Sequence, residues 1–381
     1  MKIEQREWTH GEGWVPDGPS PLKESAQLVL VFGATPLLKD DGCLYRIRKA
    51  YPRANVIGCS TAGEICGPRV FDDSLVTTAV HFESTTVNVV SMEIMDREES
   101  FEVGKKLAQS VGHEGLVNLF VVADGLNVNG SALVQGLSAC LPVGVTISGG
   151  LAGDGERFAE TLVVGNGPPA RNTVAVAAFY GERLRVCCCS FGGWDPFGPE
   201  RLVTRSRGNV LYELDGKCAL DIYKQYLGDY ARGLPATALL FPLSIRFAED
   251  EKGVVRCILG IDENDKSMTF AGDIPKGAYA CFMKANVNRL VDGAAKAAKG
   301  CIQGCGDRDQ VPDLAVLISC VGRKMLLKQR VEEEIEGVQE VLGPRTVLAG
   351  FYSYGEIAPS LPGGKSELHN QTMTVTTFLE K

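Results

Sequence analysis

Histidine is scarce: four residues in a chain of 381 disfavour the multi-histidine centres that hold catalytic zinc or iron. The 13 cysteines do not replace them. Cys301 and Cys305, or Cys59 and Cys66, lack the paired short spacings of a zinc site. The count is odd and three stand together at Cys187, Cys188 and Cys189, which excludes a secreted-type disulfide framework; most read as small buried hydrophobes. Positive charge is short too. With 39 Lys and Arg against 47 Asp and Glu, the net charge is −8, and no basic block offers a nucleic-acid track. No apolar run approaches the roughly 20 residues of a membrane span, and the opening MKIEQREWTHGEGW has no signal-peptide core. These absences predict a cytoplasmic protein. No G-x-S-x-G elbow, Walker loop or metalloprotease motif occurs, so the chain reads as non-catalytic. The Gly149–Gly153 loop runs on toward a strand, not a helix N-terminus, which disfavours dinucleotide binding.

What is present is globular: 45% hydrophobic and 23% charged residues. Residues 1–26 read as a polar N-terminal arm, followed by domains at 27–225 and 226–381. Short apolar runs predict buried strands at 27–32, 55–57, 116–123, 314–319 and 347–352. Residues 75–82 and 86–94 look like adjacent strands, and 325–341 like one helix. Trp194, in the turn-rich GGWDPFGP segment, reads as a plug at the domain junction or, as the alternative, a pocket-lining residue. Strands and helices alternate irregularly, predicting an α/β (α+β layered) fold with mixed sheets packed centrally and helices outside.

One unit recurs three times: strand, small-residue turn, helix, strand, glycine-acid turn. The closing turns align without gaps as Gly58–Glu64, Ser148–Asp154 and Gly350–Glu356. Their glycines, Gly63, Gly150, Gly153 and Gly355, allow close backbone approach, and Cys59, Ser60 and Thr61 leave amides and hydroxyls at a strand end. Glu64, Asp154 and Glu356 supply acceptors, as ligand-facing groups or as turn caps. Cys320 beside Arg323 reads either as a thiol of lowered pKa, with Arg323 as a carboxylate clamp, or as a buried cysteine with a surface arginine. Tyr352 and Tyr354 are candidate pocket walls, and His369 and Asn370 polar strand-end candidates. Donors on one side and carboxylates on the other predict an amino-acid-like zwitterion as ligand.

VIGCSTAGEI at 56–65, ISGGLAGDG at 147–155, FGGWDPFGP at 191–199, SCVGRKMLL at 319–327, GFYSYGEIAP at 350–359 and LHNQTMT at 368–374 resemble the FIST family, in its order, from about residue 28 to 378. The resemblance implies fused FIST N-terminal and C-terminal domains acting as a small-ligand sensory module. For a subset it implies haem binding and nitric-oxide sensing, with His369, His81 or His113 as axial ligand. It also implies a separate partner, a histidine kinase or cyclic-di-GMP enzyme, because no kinase, cyclase or F-box segment is read here. A protein-interaction adaptor without a ligand is the alternative.

Overall fold

The computed structural model describes residues 1–247, 253–305 and 310–381. Three six-stranded mixed sheets form the centre, and a nine-stranded antiparallel sheet caps them. Each six-stranded sheet is built on one parallel pair. In sheet I it is Leu28–Gly33 with Asn55–Ser60; in sheet II, Leu116–Ala123 with Thr146–Leu151; in sheet III, Leu314–Cys320 with Val347–Ser353. Antiparallel strands Leu75–His81, Thr173–Tyr180 and Met373–Glu380 flank the first strand of each pair. The parallel strands are apolar on nearly every residue because both faces are covered. Inward faces of all three sheets share a core that includes Phe32, Phe120 and Phe351. Outside, helices Ser100–Ser110, Gly130–Cys140, Val287–Gly304 and Val331–Leu342 bury their apolar stripes on sheets II and III. Helix Asp41–Ala50 covers sheet I.

After each parallel pair the chain leaves its own sheet. Glu64–Cys66 joins sheet III, Val163–Gly165 joins sheet I, and Gly355–Pro359 joins sheet II. The exchange is cyclic and closes the sheets into a pseudo-threefold ring. Three backbone hydrogen bonds repeat it at the centre: Ala62 N to Tyr352 O (2.8 Å), Gly153 N to Ser60 O (2.8 Å) and Tyr354 N to Leu151 O (3.2 Å). This register makes Ser60, Leu151 and Tyr352 equivalent. The second turn is therefore displaced by one residue from the gap-free alignment. Glu64 and Glu356 correspond to each other and to Gly155, whereas Asp154 matches Gly63 and Gly355.

Three expectations change. Residues 75–82 and 86–94 are not adjacent: Leu75–His81 lies in sheet I, while Thr86–Glu93 pairs with Thr173–Tyr180 in sheet II. The helix expected at 325–341 is two, Val321–Leu327 and Val331–Leu342, broken at Lys328 with φ of 50°. The segment 1–26 contains the strand Lys2–Thr9, paired from Lys2 to Trp8 with Leu75–His81.

The expected boundary at 225/226 falls within helix Ala219–Leu227, which packs in the core of the capping sheet. Trp194 plugs the junction as expected: it is 9% exposed, packs on Leu290 and Leu327, and donates from Nε1 to Gln371 O at 2.8 Å. The Cys187–Cys189 strand is buried, and Cys187 forms a disulfide with Cys305 at the end of helix Val287–Gly304.

Candidate functional site

The first glycine-acid turn opens into a cavity of about 600 Å³, closed by residues 155–157 after the second turn and by helix Val321–Leu327. Gly63 makes the turn at φ of 136°, and a Cβ there would collide with the Lys324 side chain lying across it. Glu64 is 1% exposed; it accepts hydrogen bonds from Thr61 Oγ1 and from Ser74 Oγ (2.6 Å). Burial pushes its carboxyl up to about 7, although both hydroxyls and Lys324 favour the ionised form. Lys324 Nζ donates to Ala62 O at 2.8 Å and pairs with Asp72, whose side chain is 70% exposed. On the opposite wall Arg157 pairs with Asp154, which also accepts from Thr35 Oγ1 (2.8 Å) and Glu160 N (3.1 Å). Burial alone would raise the Asp154 carboxyl; those hydrogen bonds outweigh it and hold the group below its ordinary value. Arg157, Lys324 and Lys328 thus face the same space as Glu64, Asp72, Asp73 and Glu156.

Thr61, Gly63 and Glu64 line this cavity; the other residues singled out from the sequence do not. Cys59 is fully buried in the central core. Ser60 Oγ accepts from Leu162 N at 2.8 Å, and Gly153 N belongs to the central hydrogen-bond ring. A Cβ on Gly150 would press on Ile318 at 2.9 Å, and one on Gly355 on Leu368 at 3.0 Å, so both serve packing. Tyr352 donates to Glu334 Oε1 at 2.7 Å, and Tyr354 stacks on Phe158 with ring centroids 4.4 Å apart.

Arg323 is not a ligand clamp. Its side chain is 0% exposed and is spent on Glu334 Oε2 (2.6 Å), Gly192 O (2.5 Å) and Leu290 O (2.7 Å). Nor is Cys320 an activated thiol. It is 3% exposed, and a hydrogen bond with Cys257 together with burial raises its pKa well above the ordinary value. Glu356 repeats the Glu64 arrangement but is sealed. It accepts from Ser353 Oγ (3.0 Å), Thr372 N (3.0 Å) and Thr372 Oγ1 (2.8 Å), is 0% exposed, and is raised by burial. Asn370 is fully buried, and among the described residues neither of its amide atoms finds a partner.

The histidines that the resemblance offers to haem lie apart from this cavity. His369 is buried against Ala358 O (2.9 Å), with its pKa pushed down to about 4 by burial. His81 and His113 hold Ser25 O and Ala108 O, both at 2.8 Å, and none of the three lines the cavity. Among the described residues no helix is long and apolar enough to cross a membrane.

Lys324, Arg157 and Asp72 were missed by the sequence reading. The signal for Lys324 was one residue from the chosen arginine: the helix starts at Val321, so Gly322 and Arg323 face inward and Lys324 reaches the cavity.

The FIST N domain model matches residues 27–217 and the FIST C domain model residues 219–359. An uncharacterized protein of Methanocaldococcus jannaschii is 25% identical over 320 residues, covering 77% of this chain; the chain spans 59% of that relative's length. A chorismatase crystal structure aligns over 99% of this chain and 98% of its own, at 10% identity and a TM-score of 0.35. The structure of PurLQS from Thermotoga maritima aligns over 94% of this chain and 67% of its own, at 9% identity and a TM-score of 0.15. Both scores are too low to transfer fold or chemistry. With the two domain models matched in tandem, this chain belongs to the FIST family, whose domains are small-ligand sensory domains of signalling proteins.

Proposed function

We propose that this chain is a non-catalytic sensor that binds an amino-acid-like zwitterion in the 600 Å³ cavity and passes its occupancy to a separate signalling protein, of the histidine kinase or cyclic-di-GMP enzyme class. One observation carries the reading. The Lys324 ammonium is anchored by the turn carbonyl of Ala62, yet its carboxylate partner, Asp72, is a mostly exposed side chain that a ligand carboxylate can displace. The displaced Asp72, with Asp73 and Glu156, then receives the ligand's ammonium group. An exposed ion pair contributes little to stability, so the exchange is cheap for the protein.

A thermal-shift screen of the common amino acids tests the proposal, because a ligand that binds only the folded state raises the melting temperature. At least one should do so in the wild type. Lys324→Met should weaken it roughly 10- to 150-fold, as expected for a lost charge-assisted hydrogen bond, with little change in ligand-free melting. A full response in Lys324→Met, or no responding amino acid, overturns the reading.

A further inference from the structure

A second cavity, of about 210 Å³, lies between the first turns of helix Gly130–Cys140, the strands Leu243–Arg246 and Val254–Arg256 of the capping sheet, and residues 365–368. It shares no residue with the Lys324 cavity. At its inner wall stands Arg256, 9% exposed. Its Nη1 donates to Leu368 O at 2.8 Å and its Nε faces Asp273 O at 3.4 Å. Among the described residues Nη2 makes no hydrogen bond and the guanidinium forms no ion pair. Asp273 and Glu367 line the same cavity but neither comes within ion-pair distance of it. Gly272 leaves room for the guanidinium: a Cβ there would lie 2.7 Å from Nε.

Buried charges in proteins are paired, and removing a guanidinium from water without an anion is costly. Burial pushes the Arg256 pKa down to about 10, although the charges of Asp273 and Glu367 oppose the shift from beyond ion-pair distance. A second polar group in this cavity also lacks a partner. Ser131, 8% exposed, stands in the first turn of helix Gly130–Cys140, and among the described residues its Oγ makes no hydrogen bond. The helix end adds the positive pole of its dipole, while Asn129 already caps the amide of Ala132 at 3.2 Å. Lys365 stands exposed at the mouth. Val134, Ile245, Val254 and Leu368 give the rest of the lining an apolar part, and Gln135, Ser366 and Arg246, which pairs with Glu200, a polar one.

We propose that this cavity is a binding site for a small monocarboxylate with an apolar body, its carboxylate on Arg256 and Ser131 and its body against Val134 and Leu368. The guanidinium fork matches a carboxylate in shape and charge. A monoanion is favoured over a phosphate dianion because Asp273 and Glu367 stand on the same wall and repel the second charge. The volume is below that of a drug-sized pocket, so a nucleotide is excluded. The inference does not depend on the amino-acid site.

Benzoate, with benzamide as its neutral isostere and inorganic phosphate as the competing anion, tests it by isothermal titration on the full chain. Saturable benzoate binding at millimolar concentration is expected in the wild type and equally in Lys324→Met, with no heat from benzamide or phosphate. Arg256→Gln should weaken benzoate roughly 10- to 150-fold and Ser131→Ala several-fold. If Arg256→Gln fails to fold, Ser131→Ala decides, since it removes an unpartnered hydroxyl at no cost to packing; unchanged affinity in that variant overturns the proposal. Benzamide binding as well as benzoate, phosphate binding in its place, or no benzoate binding overturns it as well.

Discussion

Glu64 and Glu356 occupy the same position of the repeat and use the same partners: a hydroxyl three residues earlier, and a second hydroxyl just before the next antiparallel strand. Glu64 borders the 600 Å³ cavity, and Glu356 does not line it. The raised carboxyl of Glu64 has a consequence for stability. In the unfolded chain the group titrates near 4.5, and in the fold at about 7. Below the first value both states hold the proton. As pH rises between the two values, the unfolded chain releases a proton that the fold keeps, so stability falls, by roughly 3 kcal/mol once the folded carboxyl has ionised. Glu64→Gln removes this loss. Denaturant melts of both proteins at about pH 5 and about pH 8 should show the variant gaining on the wild type as pH rises, because every other group titrates alike in both. A difference independent of pH would mean that Glu64 ionises normally.

Among the elements, the parallel pairs carry the repeat most clearly. Gly58, Gly149 and Gly350 lie opposite Val31, Val121 and Leu317, and a Cβ on any of them would overlap the carbonyl oxygen of that partner. Gly58→Ala and Gly350→Ala must push apart strands that are buried on both faces, so each should cost about 3 kcal/mol or more in chemical denaturation. A loss below about 1 kcal/mol would show that the pairs yield easily. These strands were legible in the sequence because burial on both faces writes a continuous apolar run. Their partners were not. Residues 75–82 and 86–94 are separated by three residues and look like a hairpin, yet the chain changes sheets between them; local pattern reports burial and is silent about the neighbour. The turn alignment failed for a related reason. Glycine-rich turns permit two registers, and only the Ala62, Gly153 and Tyr354 amides choose between them. Of the cavity lining, Thr61, Gly63 and Glu64 were legible, while Asp72, Asp73 and Glu156 were not and the cation was misplaced by one residue, since the phase of helix Val321–Leu327 is set by the buried Arg323–Glu334 pair.

At the scale of the whole molecule, the two FIST domains are divisions of sequence more than of structure. Sheet III alternates between them: Leu184–Phe191, Glu64–Cys66 and Arg69–Phe71 come from the first, and its three central strands from the second. Sheet II takes its last two strands, Gly355–Pro359 and Ser366–His369, from the second. The central core crosses the same division, with Phe32 against Phe351 at 4.6 Å and Phe179 against Phe378 at 5.2 Å between ring centroids. A fragment ending at residue 217 would expose those faces and leave Leu184–Phe191 without its partner strand. Exposing each buried phenylalanine costs about 1.5–3 kcal/mol, and a few such losses consume the ~5–15 kcal/mol that ordinarily holds a domain together. Expressed alone, residues 1–217 should therefore be unfolded or aggregated, with little chemical-shift dispersion in an amide NMR spectrum. Co-expressed with residues 218–381, they should purify as a one-to-one complex that melts in a single transition, since the sheets form only when both pieces are present. Two separately soluble halves, each with a dispersed spectrum and its own melting transition, would show that the strand exchange is not required for folding and that each FIST domain closes on itself.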